Sequence, residues 1–425
     1  MLTRMNDDAP SLLRLRRLCR ATALFALLLL GVTWRLWTPQ SVFPQIPLLP
    51  FACALPGGVD WGALVLLGAG LLGGAIFTPG QRLNRTGWLT ASAALGVLFL
   101  GDQHRLQPWA YQFALMGLII AFADRPRWSV VMLQLLFASI YVHSALSKLD
   151  AAFFHSHGQL LLGGLAGAVG LDANLWPEQV RTVIAGAFPV GELVIAVGLL
   201  RPRLRKSVVV AAIVMHLILL LTLGPLGLDH EWGVLLWNGY FLTAVPLLFW
   251  PMRAEGPEAT AEESGRRARG TSIAAMVTAA AILLPLMPWY DHWLSWSLYS
   301  SRPAVVTVQV REDVAERLPA VVQPYIGPTE PLTEWRPVSL DAWSFGELGC
   351  PVYPQLRFRL AIAGALAEAG GLEGDTMRVG VRLPPDRQSG ARRSIQYSLT
   401  GLQERLREFR VNTAPRTTWL QGAAE

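Results

Sequence analysis

Lysine is almost missing from this chain. Only Lys148 and Lys206 occur, so 34 of the 36 Lys+Arg residues are arginine. Arginine keeps its proton inside a protein, whereas a desolvated lysine can lose one. Two side chains at most can therefore act as titratable amines. Cysteine is scarce too: Cys19, Cys53 and Cys350 form no CxxC pair and show no zinc-ligand spacing. A Cys53–Cys350 disulfide stays open, provided both residues face outward. The chain also lacks a nucleophile elbow, a phosphate-binding loop and an HExxH sequence, which argues against a serine hydrolase, a P-loop nucleotidase and a zinc protease. Charged residues make up only 16% of the chain against 52% hydrophobic, and the mean hydropathy is +0.37. That is not the composition of a soluble enzyme. The net charge of +6 is no nucleic-acid signature either, because through positions 21–290 the arginines gather in short loops between apolar runs.

Those runs give the architecture. Stretches of about 18 or more apolar residues recur through the first 290 positions, each long enough to cross a bilayer. Nine spans are expected, near 21–38, 59–78, 86–102, 108–124, 128–148, 178–200, 205–224, 232–251 and 270–290. The first is read as a retained span rather than a signal peptide, because it runs on into Arg35 and Trp37 without a small-x-small cleavage site. Alternate loops carry Arg82 and Arg85, Arg125 and Arg127, Arg201 to Lys206, and Arg253 to Arg269. The opposite loops hold few cations, Arg105 among them. The positive-inside rule then makes the N-terminus cytoplasmic and puts the residues beyond 290 outside. The expected fold is an all-α polytopic membrane bundle with a small α+β extracytoplasmic C-terminal domain. Its parts are a cytoplasmic segment at 1–20, the bundle at 21–251, a polar cytoplasmic linker at 252–269, the ninth span at 270–290 and the outer domain at 291–425. In that domain, strands are expected at 305–310 and near 376–383, and helices near 353–369 and 398–409. The Gly-rich segment 150–177 is too interrupted for a span and reads as re-entrant or outer-leaflet.

One stretch organises the rest: 134–150, QLLFASIYVHSALSKLD. Gln134, Ala138, Tyr141, Ala145 and Lys148 recur at spacings of three and four, so they share one helix face. This describes a membrane helix with a polar and small seam turned inward and a lysine at its end. Lys148 is either a tunable base or Schiff-base amine, or a cation that snorkels to the interface. Two polar residues lie within later spans. Glu192 follows Pro189 and Gly191, which would break its helix near a binding cavity. His216 sits in VVVAAIVMHLILLL. Glu192 is nine residues before Arg201 and His216 ten after Lys206. At about 1.5 Å per residue, both stand roughly 14–15 Å from the inner edge, where they can pair, as chemistry or as glue. By the same ruler Lys148 stands about 30 Å above Arg127, out of reach of Glu192. Its nearest candidate counter-ion is Asp150. His143 and Ser147 edge the same helix end, and His230 and Asn238 can close the mouth. His155-x-His157 is too weak a signal for a metal, and none is expected.

The segment IYVHSALSKLDAAFF resembles the vitamin K-dependent γ-carboxylase and its bacterial relatives, the HTTM family, in which an aromatic-rich helix ends in a lysine followed by Leu-Asp. The resemblance runs from about 102 to 250. It implies that Lys148 matches the base that deprotonates a reduced quinone, here of the menaquinone type, and that His216 matches a pocket histidine. Two features depart from the pattern. Trp109-Ala110-Tyr111 stands where the carboxylases carry a histidine two residues before an aromatic, and the tail is smaller than their substrate-holding domains. A second resemblance is to DoxX and MauE-like redox-associated proteins, through SKLD and the later GELVIAVGLL. That reading implies a non-catalytic accessory protein whose outer domain meets a protein partner. Either resemblance fits a bacterial inner membrane, with lipid and a lipid-soluble small molecule as the expected surroundings.

Overall fold

The computed structural model describes residues 9–251 and 269–422. Residues 1–8 lie outside the described residues, as do 252–268, which make up all but the last position of the expected linker. The described residues are mostly helical with one four-stranded sheet, and they divide into two compact units.

The first unit takes the described residues through Gly31, with Val65–Leu95 and Pro108–Ser300. Its helices are α1 (Ala9–Val32), most of α2 (Gly58–Ile76) and α3 (Arg82–Gly101), α4 (Pro108–Phe122), α5 (Pro126–Lys148), α6 (Ala151–His155), α7 (His157–Ala168), α8 (Glu178–Leu199), α9 (Arg205–Leu223), α10 (Trp232–Phe249) and α11 (Arg269–Leu283). Five of them, α2, α5, α8, α9 and α10, are long and apolar enough to cross a membrane, and two shorter apolar helices accompany them. The first helix starts at Ala9, inside the segment read from sequence as a polar lead. Pro189 does not break α8, which runs unbroken from Glu178 to Leu199. A proline in mid-helix removes only one backbone donor, and neighbouring turns carry the helix past it.

α5 is the axis of this unit. Of its apolar window 72% is buried, against 28–39% for the other four long helices. α8 and α11 pack along it. Gln134 donates to the Leu248 carbonyl of α10 at 2.7 Å, and Arg14 of α1 donates to the same carbonyl at 2.7 Å. The α2–α3 crossing depends on glycine. A Cβ at Gly87 would stand 2.5 Å from Gly74 N, and one at Gly70 would stand 2.6 Å from Ala91 N, so the two backbones touch directly.

The second unit is assembled from Val32–Leu64, Gly96–Gln107 and the described residues from Ser301 on. Its antiparallel sheet has the order β2-β1-β3-β4, with β1 (Val305–Arg311), β2 (Trp335–Val338), β3 (Met377–Arg382) and β4 (Ser394–Ser398). Val306, Val308 and Val310 alternate into the core, and Val308 pairs with Val338 on one side and Val379 on the other. Helices α12 (Leu340–Leu348), α13 (Leu356–Ala369) and α14 (Leu399–Arg407) belong to it, as do the short helices Trp34–Trp37 and Thr417–Gly422. α13 contributes most of one core face through Phe358, Leu360, Ile362 and Leu366, all fully buried.

A buried ionic cluster closes this unit. Asp60 receives Arg105 Nη1 at 2.5 Å and also Arg416 Nη1, and all three side chains are at most 2% exposed. Arg105, counted from sequence among the loop cations that report sidedness, is therefore a core residue. Its Nε also donates to the Leu36 carbonyl at 2.9 Å. Just past the end of α3, the Asp102 carboxylate accepts from the backbone N–H of His104 at 3.0 Å and of Ile46 at 3.3 Å. Burial pushes that carboxyl up to about 6, with Arg105 pulling the other way. Burial also pushes the His104 imidazole down to about 4, against the Pro351 carbonyl that its Nε2 meets at 2.8 Å. Cys53 and Cys350 are not joined: Cys53 Sγ lies 3.6 Å from the Ala414 carbonyl and Cys350 Sγ 3.7 Å from His104 Nε2.

Candidate functional site

Pro126 opens α5 at a position where its missing N–H costs nothing, and the helix runs 23 residues to Lys148. There the chain turns. Asp150 accepts from Phe153 N at 2.7 Å and caps α6. This fixes the α5 terminus, so the Lys148 ammonium is held by neighbouring side chains instead of reaching for water.

Those neighbours are Glu192 of α8 and Ser144, one turn earlier on α5. Lys148 Nζ donates to Glu192 Oε1 at 2.9 Å and Oε2 at 3.0 Å, and to Ser144 Oγ at 2.5 Å. Ser144 Oγ donates in turn to Glu192 Oε1 at 3.1 Å. Lys148 is 4% exposed and Glu192 13%. Three groups thus close a triangle of hydrogen bonds around one amine. A bidentate ion pair with a bridging hydroxyl is the geometry a buried pair needs to offset its desolvation.

This corrects two expectations. Lys148 does meet Glu192, and Asp150 is a helix cap, not a counter-ion. The depth ruler failed because it assumed that the turns at Arg127 and Arg201 lie in one plane. The half of α8 nearer Glu178 packs instead on the short helices α6 and α7, so the end of α5 faces the middle of α8.

His216 is not paired with Glu192 either. Its Nε2 lies 2.7 Å from the Tyr141 hydroxyl and its Nδ1 3.1 Å from Asn238 Oδ1. Asn238 Nδ2 donates to the Val234 carbonyl at 3.0 Å, which leaves Oδ1 as acceptor. The network then assigns the proton to Nδ1 and leaves Nε2 to accept from Tyr141 O–H. Phe241 stacks on the imidazole with centroids 5.0 Å apart. Tyr141 is seven residues before Lys148, about 10 Å along the helix axis. Two polar clusters therefore sit on one seam of α5, about two turns apart.

The remaining candidates fall elsewhere. His143 Nε2 donates to the Ile282 carbonyl of α11 at 2.9 Å. Ser147 bonds back to the Ser144 carbonyl at 2.8 Å. His230 lies beside Tyr299, with centroids 5.7 Å apart, and follows Asp229, which adopts a left-handed φ of 48°. His155 is exposed, 3.8 Å from Glu178. Ser144 is the residue that sequence reading missed. Its signal was present, three residues after Tyr141 and four before Lys148, on the seam already recognised.

An amine, a carboxylate and a hydroxyl in mutual contact can hold a proton and pass it among themselves. Among the described residues no group of three or more His, Cys, Asp or Glu side chains is placed to hold a metal ion. Compared with known proteins, the chain matches no family model, no curated protein and no solved structure.

Proposed function

We propose that this chain is an integral membrane enzyme of the γ-carboxylase-like HTTM type, in which Lys148 serves as a base toward a reduced, lipid-soluble quinone. The observation that carries the reading is the burial of one of only two lysines against Glu192 and Ser144, where arginine would have sufficed for charge alone. The surroundings suit such a cofactor. Phe188, one turn before Glu192, packs against the cluster of Phe153, Leu161 and Leu223. Beside Glu192, Gly191 has open space where a Cβ would stand. When bound, the quinone would supply a weakly acidic ring hydroxyl and an oxidisable ring.

The chain's own part is proton handling. Lys148 accepts a proton only as the free amine. Glu192, in contact at 2.9 Å, is the group placed to take the proton that Lys148 gives up before it can act as a base. Ser144, bonded to both, keeps them aligned through that exchange. His216, held by Tyr141 and Asn238, is a positioning residue below them. The same reading takes nine spans, a cytoplasmic N-terminus, an extracytoplasmic C-terminal unit, a re-entrant 150–177 segment and a bacterial inner membrane.

Quinone extraction and mass spectrometry on purified protein tests it, with wild type beside Lys148→Arg and His216→Ala. Bound quinone in the wild type that is lost in either variant supports the enzyme. A folded wild type that carries none, together with a silent Lys148→Arg phenotype, overturns it. That outcome would favour the DoxX/MauE-like accessory reading, for which the compact sheet-bearing unit, with its own core, is the supporting observation.

A further inference from the structure

The first turn of α3 carries Arg82 and Arg85, read from sequence as markers of membrane sidedness. Their geometry goes further. Here a cavity of about 290 Å³ opens, room for about ten waters at ~30 Å³ each, with Arg82, Arg85 and Thr86 as its polar lining. Leu89 and the α4 residues Ala121 and Phe122 supply the apolar part. The lining thus passes from cationic to hydrocarbon within about two turns of one helix.

Arg85 is built in rather than loosely solvated. Its Nη2 donates to the carbonyls of Ala123 at 3.1 Å and Asp124 at 2.9 Å. Its Nε is buried and has no acceptor among the described residues. Among the described residues its acidic neighbour is Asp124, whose Oδ1 stands 4.0 Å from Arg85 Nη1, while Oδ2 is occupied by the N–H and hydroxyl of Thr271 at 2.9 and 2.7 Å. The first turn of α3 adds the positive end of its dipole. Gly80, at φ +89°, provides the left-handed turn before that helix, which an L side chain would strain.

Two guanidinium groups, a hydroxyl and a helix start make up the chemistry that recognises a phosphate, and the adjoining leucine and phenylalanine suit the hydrocarbon attached to one. We propose that this cavity binds the phosphate of an anionic phospholipid. The inference stands apart from the Lys148 site and does not need its chemistry.

Native mass spectrometry of the full chain, delipidated in detergent, tests the proposal with phosphatidylglycerol, phosphatidylcholine and inorganic phosphate as separate probes. Arg82→Gln and Thr86→Asp alter exposed side chains and spare the Arg85 contacts, so a melting curve will show both variants folded. Arg203→Gln, exposed on another turn, is the control. The expected result is preferential retention of phosphatidylglycerol, weakened about tenfold by Arg82→Gln, as for loss of one charge-assisted hydrogen bond, and abolished by Thr86→Asp. Equal retention of phosphatidylcholine, no effect of either variant, or an equal effect of Arg203→Gln overturns it. Inorganic phosphate binding as tightly as the lipid would overturn the headgroup assignment in favour of the free ion.

Discussion

Glu192 and Lys148 stabilise each other only as a pair. Glu192→Gln leaves a buried ammonium without its counter-charge and is expected to cost about 3 kcal/mol, read as a lowered midpoint of unfolding in detergent. Lys148→Met combined with Glu192→Leu should recover most of that loss, because two apolar side chains need no partner. A double variant as unstable as Glu192→Gln would refute the account. In the second unit, two neighbouring residues set opposite pH dependences. The Asp102 carboxyl, raised to about 6 from an ordinary 3.8, favours folding in its protonated form. That contribution is complete below about 3.8 and lost as pH rises through about 6. The His104 imidazole, lowered to about 4 from 6.5, favours folding when neutral, so its contribution is present above about 6.5 and lost as pH falls through about 4. Between pH 4 and 6.5 the two oppose each other. Asp102→Asn keeps the oxygen that caps His104 N–H and removes only the first dependence. Its thermal midpoint should therefore fall on acidification across that window more steeply than in wild type, and His104→Gln should do the reverse.

At the scale of elements, glycine decides which helices touch. Gly87→Ala drives a methyl to within 2.5 Å of Gly74 N, where only backbone could move, and is expected to cost several kcal/mol as α2 and α3 part. Gly96→Ala, in the same helix α3, meets nothing within 4 Å and should raise stability by about 0.5–1 kcal/mol through helix propensity alone. Circular dichroism melts of the two variants read the contrast directly, and similar shifts in both would discount the crossing. Elements differ too in how legible they were. VVTVQV announced β1 because Val306, Val308 and Val310 alternate inward. β4 has no fully buried position, and β2 is four residues long with Pro337 inside, so neither left a periodic trace. α5 was readable as a central helix from its seam. Its Lys148–Glu192 contact was not, because that depends on the offset between α5 and α8, set by the packing of α6 and α7 and absent from either sequence segment alone.

For the whole molecule, the second unit is the lesson that linear reading misses. Residues 32–64 and 96–107 lie among the membrane-like runs, yet they share a core with the sheet. Arg105 and Asp60 supplied no local pattern that would tie them to Arg416. Arg416→Gln is expected to weaken that cluster and make the unit more easily cleaved by protease, while Tyr141–His216 contacts in the first unit stay intact by histidine NMR. Loss of both together would show the units to be coupled.

The Asp60 cluster also orders events in time. Asp60 and Arg105 are 45 residues apart and leave the ribosome early, whereas Arg416 follows Asp60 by 356 residues. Until that arginine is synthesised, one carboxylate oxygen of Asp60 waits without its second guanidinium, and the unit cannot seal. Its closure is therefore a late step of biogenesis, and nascent chains stalled short of Arg416 would expose a half-paired acid to quality-control proteases. The cluster so distinguishes a chain that has reached Arg416 from one that has not.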